Sequence, residues 1–462
     1  MWTKLIVGGL VVCGCSAVEA GLHYDRYFNH YADSFVTKIF MKSKGTAQVT
    51  TTLDQCRELI RSTYELSGGM HQIIYLVGWQ HDGHDSKYPD WGTVGAQCRS
   101  SLSDDPLTSL RMAMREARER WNCDLSLHLN MNDAHPDSPL WQLYNEKDLL
   151  CRDKAGKIRP LGTWFRISHV KEWKSGYAKK RIDALVAMLP ELKDAKTVHI
   201  DAFFAQDSEF DGITIADDAD AIRAITDYWH SLGIDVTNEF ITDESMMGYF
   251  PMVYHFNLDE RQRLLYPADV VCGGDNLWNG RLYLDYHHRY KPNMGELFCT
   301  PKAGCLYDEA WGIGAFCDMH PGFLNRAALA ERLFHTAFLA AWYNRRPVTR
   351  HTMTATDYAV ERDGGVKANV RMKDRHLTVT EKGRTVVDGH DFFLDMPYGG
   401  GTVLAFSGKG CDRVFELPSS LAGAHQLVGT RYPKGEPCTL AVADGRVQVK
   451  LAPCESLMLK PQ

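Results

Sequence analysis

The chain has no excess of positive charge: 52 lysines and arginines stand against 58 aspartates and glutamates, for a formal net charge of −6. A basic footprint for nucleic acid is therefore missing, and nucleic acid is not expected as a partner. Beyond the N-terminus there is no apolar run approaching the ~20 residues that a membrane-spanning helix needs. None of the 13 cysteines forms a CxxC pair, so the spacing suggests no zinc site. Internal repeats and low-complexity linkers are missing too. Domain limits must be sought in changes of texture.

What is present begins with an export signal. Lys4 precedes a short apolar core, Leu5 to Val12, and Val18-Glu19-Ala20 ends on a small residue. Cleavage after Ala20 is expected, with the protein secreted or periplasmic; the alternative is a lipoprotein anchored through Cys15. Loss of Cys13 and Cys15 leaves an odd number of cysteines, which cannot all pair. Cys299–Cys305 and Cys438–Cys454 are candidate disulfides, with buried free thiols as the competing reading. Hydrophobic residues make up 44% and charged residues 24% of the chain, enough for a large core. Aromatics at 11% would furnish a sugar-stacking cleft, although core packing accounts for most of them.

From about residue 35 to 350, apolar strands alternate with amphipathic stretches. The strand candidates are FVTKIFM (35–41), QIIYLVGW (72–79), DLSLHLN (124–130), TVHIDAFF (197–204), IDVTNEF (234–240), DVVCGG (269–274), GCLYDEA (304–310) and RPVTRHTM (346–353). Segments such as TLDQCRELIRSTYEL (52–66) and DADAIRAITDYWHSLG (218–233) repeat apolar residues at helical spacing. Eight such alternations predict an α/β fold, a (β/α)8 barrel over residues 21–353. After residue 354, short alternating strands between Gly, Pro and Asp turns predict an antiparallel β-sandwich over 354–462.

A barrel of this kind carries its active site at the C-terminal ends of the strands. The polar residues there are Gln80 to Ser86 after strand two, His128 and Asn130 on strand three, and Asp201 on strand four. Glu239 ends strand five, Asp275 follows strand six, and Glu309 and Trp311 follow strand seven. Asp201 and Glu239 on neighbouring strand ends fit a two-carboxylate glycosidase. Adjacent strands lie about 5 Å apart, which suits the ~5–5.5 Å carboxyl spacing of retaining enzymes. Asp275 and Glu309 are rival carboxylates, and any strand-end Asp can instead cap a helix. The run His81-Asp82-Gly83-His84-Asp85 is a weak metal signal, and sugar binding is the preferred reading. Neither metal nor cofactor is expected.

GWQHDGHDSKYPDWGTVG (78–95), LSLHLNMNDAHPDS (125–138), TVHIDAFFA, TNEF and DVVCGGDNLWNG (269–280) together resemble, in order, the endo-α-N-acetylgalactosaminidases of glycoside hydrolase family 101. The C-terminal stretch from RTVVDGHDFFL to ESLML resembles the β-domain that follows the family's barrel. The resemblance implies Asp201 as nucleophile and Glu239 as acid/base. It places His84, Asp85 and Asn130 at the −1 sugar, and Trp164 and Trp311 as aromatics over the substrate; Gln80 and Asp275 complete the set of binding candidates. Two departures stand out: Phe240-Ile241-Thr242 after the acid/base, and a single tryptophan, Trp164, where the family has a pair. The implied activity is retaining hydrolysis of mucin-type O-glycans, Galβ1-3GalNAc α-linked to Ser or Thr. Rival readings are an exo-acting α-galactosaminidase or α-galactosidase, or a barrel that binds glycan without cutting it.

Overall fold

The computed structural model describes residues 27–238, 246, 248–251, 317–319, 321–334, 338–346, 348–354, 356–371, 373–374, 376–389, 391–396 and 398–462. In chain order, β1 (Phe35–Phe40) leads through α1 (Leu53–Ser67) to β2 (Gln72–Val77), and α2 (Pro106–Trp121) leads to β3 (Cys123–Asn130). Thr52 and Gln55 close a capping box at the start of α1, and Gly68 ends that helix in the left-handed region. Asp105 caps α2, with Pro106 in its first turn. These local signals fix where each helix starts and so how each strand is fed.

The connection after β3 is an insert. It holds β4 (Asp133–Ala134), α3 (Trp141–Glu146), β5 (Pro160–Leu161) and β6 (Trp164–Arg166). The strands form a small antiparallel sheet in the order β4-β6-β5. The chain continues through α4 (His169–Lys174), α5 (Tyr177–Met188) and α6 (Leu192–Ala195) to β7 (Thr197–Asp201), α7 (Ile215–Ser231) and β8 (Asp235–Asn238). The stretch 177–192, which has one helical period in sequence, is broken around Pro190 because proline lacks the amide that a helix interior needs. Further on lie β9 (Cys317–Met319), α8 (Arg326–Arg332) and α9 (Phe338–Asn344).

Among the described residues, six strands form one sheet in the order β8-β7-β3-β2-β1-β9, and every pairing is parallel. The strand expected at 346–353 does not belong to it. Residues Val348–Met353 form β10, which pairs antiparallel with β11 (Asp357–Arg362), and the edge beside β1 is taken by β9 instead. The alternation of VTRHTM suits either kind of sheet, and the short turn to β11 decides the pairing. The strand candidates at 269–274 and 304–310 lie outside the described residues.

From β10 to β21 (Glu455–Pro461) the chain builds an antiparallel sheet of 12 described strands. Its strands pair with their sequence neighbours until β16 (Val403–Ser407), which pairs with β21. One hydrophobic core runs from the parallel sheet through Phe334 and Trp342 into Val360, Val366 and Phe392 of the antiparallel sheet. Phe334 lies 5.2 Å from Tyr432, and Arg346 pairs with Glu381 at 2.9 Å. A second core lies within the antiparallel part, around Phe393, Phe415, Leu427 and Val449. Cys438 is a free thiol while Cys454 is disulfide-bonded, so the Cys438–Cys454 pairing does not form. Cys299 and Cys305 lie outside the described residues.

Candidate active site

Side chains on a strand alternate between faces, so His128 and Asn130 of β3 share one side, as do His199 and Asp201 of β7. The register joins them: His128 is opposite His199, and Asn130 is opposite Asp201. A polar stack fills this side of the sheet. Deepest, Asp235 accepts from the Tyr31 hydroxyl at 3.0 Å, and Thr197 Oγ1 meets Tyr31 and Tyr75 at 2.9 and 2.7 Å. One layer up, His199 Nδ1 pairs with Thr237 Oγ1 at 2.8 Å, and its ring lies 5.1 Å from that of His128. Burial pushes His199 well below the usual imidazole range, and the Lys38 and His128 charges act the same way. It is therefore a neutral spacer. At the top, His128 Nε2 stands 3.6 Å from Asp201 Oδ2.

The loop after β2 adds His84, whose ring meets that of His128 edge-on at 5.2 Å. Its backbone is clipped to the segment after β1: His84 N donates to Lys42 O at 2.8 Å, and Lys44 N donates to His84 O at 3.0 Å. Gly78 makes this approach feasible, since a Cβ there would sit 2.2 Å from Lys42 O. Asp85 follows in the left-handed region, with Oδ1 3.6 Å from His84 Nε2. The rest of the His81–Asp85 run goes elsewhere: His81 pairs with Asp90 at 3.0 Å, and Asp82 accepts from Ser86.

Gln80 is buried and donates to the Tyr88 hydroxyl at 3.0 Å. Burial, then the Asp85 and Asp201 charges, push that phenol well above its ordinary value. Asn130 braces the turn beyond β3, accepting from Asn132 N and Asp133 N and donating to Asp133 Oδ2 at 2.7 Å. Trp164 stacks on His135 with rings 5.5 Å apart, and His135 meets Tyr88 edge-on. The structure thus joins Gln80, His84, Asp85, Asn130, Trp164 and Asp201 at one end of the sheet. Glu239, Asp275, Glu309 and Trp311 lie outside the described residues.

The sequence reading passed over one titratable group here, Asp133. It is buried beside Asn130, and burial raises its carboxyl to about 7, helped by the Asp201 and Asp85 charges and opposed by Asn130 and Arg166. Its sequence signal was slight, an Asx-type turn just past the strand end. His128 was already among the strand-end candidates, and His199 could have been found, since it lies two residues before Asp201 and so shares its face.

The chain after Asp201 is held on two sides. Asn238 accepts from Phe203 N at 3.2 Å and donates to Phe203 O at 2.7 Å. Asp218 of α7 accepts from Gln206 N at 2.9 Å and from His169 Nδ1 at 2.7 Å, with both side chains fully buried. Ala202 is thereby fixed at a φ of 47°, a left-handed conformation that alanine adopts only under constraint.

Residues 25–251 match the family model described as endo-alpha-N-acetylgalactosaminidase. Over that segment the chain belongs to this family. All the described members of the site fall inside the family segment. No curated protein matches the chain. Among solved structures, the ligand-free alpha-N-acetylgalactosaminidase NagBb from Bifidobacterium bifidum is similar in fold, with a TM-score of 0.50 and 12% identity over 75% of this chain and 57% of that one. Its Gal-NHAc-DNJ complex gives a TM-score of 0.50 and 12% identity over 76% and 58%. The chain thus spans less than two thirds of these relatives. A GH36 alpha-galactosidase, AgaA from Geobacillus stearothermophilus, gives a TM-score of 0.43 and 12% identity over 94% and 56%.

Proposed function

We propose that the protein is a retaining glycoside hydrolase acting on α-linked N-acetylgalactosamine in mucin-type O-glycans. One observation carries the reading. Asp201 ends β7 beside His128, and the register pairs Ile200, the residue before it, with Asn238, the residue before Glu239. Neighbouring strand ends are about 5 Å apart, the spacing that double displacement requires. In this mechanism Asp201 attacks the anomeric carbon and the aglycone oxygen leaves with a proton from Glu239. Glu239 then takes a proton from water, which displaces Asp201 and restores the anomeric configuration. His84 and Asp85 would hold the sugar's hydroxyls, with Trp164 beside it.

Family membership over 25–251 supports this reading, and so does the all-parallel sheet with β9 beside β1, the edge at which a (β/α)8 barrel would close. We assign catalysis to that barrel and regard the β-sandwich as its structural partner. The export signal fits a secreted or lipid-anchored enzyme, and among the described residues no helix is long and apolar enough to cross a membrane.

The deciding experiment offers aryl α-glycosides of GalNAc and of Galβ1-3GalNAc and follows the first product by NMR. Release of an α-configured sugar or disaccharide is expected, and which of the two appears separates exo from endo action. A β-configured first product, or no cleavage of either glycoside, would overturn the proposal.

A further inference from the structure

The donor atoms of His84, His128 and Asp201 all lie within 4.8 Å of one another. The tightest pair, His128 Nε2 and Asp201 Oδ2, is 3.6 Å apart. A tetrahedral ion with bonds near 2.0–2.1 Å wants its donors about 3.3–3.5 Å apart, so one pair is close to fitting and His84 must close by no more than about 1.5 Å. His84 has the freedom to do so. Its Nδ1 is buried with no hydrogen-bond partner among the described residues, and its Nε2 is too far from Asp85 for a hydrogen bond. The scaffold is rigid by contrast, since His128 and Asp201 sit on paired strands and the His84 backbone is clipped to Lys42 and Lys44.

We propose that these three side chains bind one divalent transition-metal ion of the zinc type, and that the bound ion blocks Asp201. Two imidazoles and a carboxylate suit Zn²⁺, Co²⁺ or Cu²⁺, whereas Ca²⁺ and Mg²⁺ prefer oxygen donors. Three protein ligands leave the fourth position to water. A metal on the Asp201 carboxylate withdraws the lone pair that would attack a sugar and fills the space where that sugar must sit. Metal binding stands on this geometry alone; its inhibitory consequence rests on the proposed glycosidase activity. The competing account is that two imidazoles merely solvate the carboxylate.

The test titrates metal-free, full-length protein with Co²⁺ and reads the visible absorption of low-coordinate cobalt, with Zn²⁺ as competitor. One equivalent should bind, and His84→Ala and His128→Ala should each weaken it at least tenfold, as loss of even an outer-shell partner can do. Asp201→Asn, at a partly exposed strand end, provides a third variant should either histidine variant fail to fold. Unchanged binding in the folded variants, or no cobalt absorption in the parent protein, overturns the site. Zn²⁺ should also inhibit cleavage competitively with the aryl glycoside, and a chelator should reverse this. Metal binding without any glycosidase activity would uphold the site and refute the proposed function. Cleavage with no metal binding would do the opposite.

Discussion

At the residue scale, two carboxyl groups of the site sit in different surroundings. Asp201 is partly exposed beside His128, and Asp133 is buried at about 7. Replacing Asp201 by Asn removes the proposed nucleophile and should lower kcat by several orders of magnitude, since nucleophile and acid/base act as a unit. Near-normal turnover of aryl glycosides by this variant would exclude the role. Asp133 carries its proton below about pH 7 and ionises above it. Its ionisation puts a further negative charge near Asp201, the proposed nucleophile, so the alkaline limb of kcat/KM should fall from about pH 7. Asp133→Asn keeps a neutral hydrogen-bonding group there and should move that limb upward. An unmoved limb would assign it to another residue.

At the scale of elements, the clamp behind β7 offers a stability test. Asp218→Ala leaves buried His169 without its carboxylate and releases Gln206 N, and leaving a buried donor unpaired costs about 1–3 kcal/mol. Activity should fall with it, because Ala202 would relax from its left-handed φ and shift the adjacent Asp201. Calorimetry with kinetics on Asp218→Ala and Asp218→Asn checks this, and an unaltered melting temperature would refute it. The strand β2 was legible because QIIYLV is buried on both faces and so nearly all apolar, and β3, β7 and β8 because apolar residues alternate with buried polar ones, as in TVHI. The small sheet β4-β6-β5 was not, since strands of two or three residues show no period. Strand 346–353 was legible as a strand but not as to its sheet. Asp133 escaped notice because its character comes from burial by the insert, which no local pattern records.

At the scale of the whole molecule, the parallel and antiparallel sheets share one core. A chain cut after residue 353 would expose the faces of Phe334 and Trp342 and should aggregate, whereas two domains with separate cores would survive the cut. Solubility and circular dichroism of residues 21–353 check this. The lower end of the stack gives a pH effect. Burial raises Asp235 to about 6 despite hydrogen bonds from Tyr31, Phe28 N and Asn29 N. The folded protein therefore holds this proton more tightly than the unfolded chain, and stability declines as pH rises from about 4 to 6, by up to about 2–3 kcal/mol. Asp235→Asn should flatten that slope; a slope unchanged in the variant would trace it to other groups.

The insert after β3 bears on how such a protein can diverge. Among the described residues its strands form no backbone ladder with the parallel sheet and touch it through the Asn130–Asp133 pair, yet they carry Trp164 and hold Asp133 buried near Asp201. Mutation can lengthen, shorten or recolour this patch while the inherited strand ends keep their register. Selection can thus explore new ligands at the rim of the site without putting the strand ends beneath it at risk.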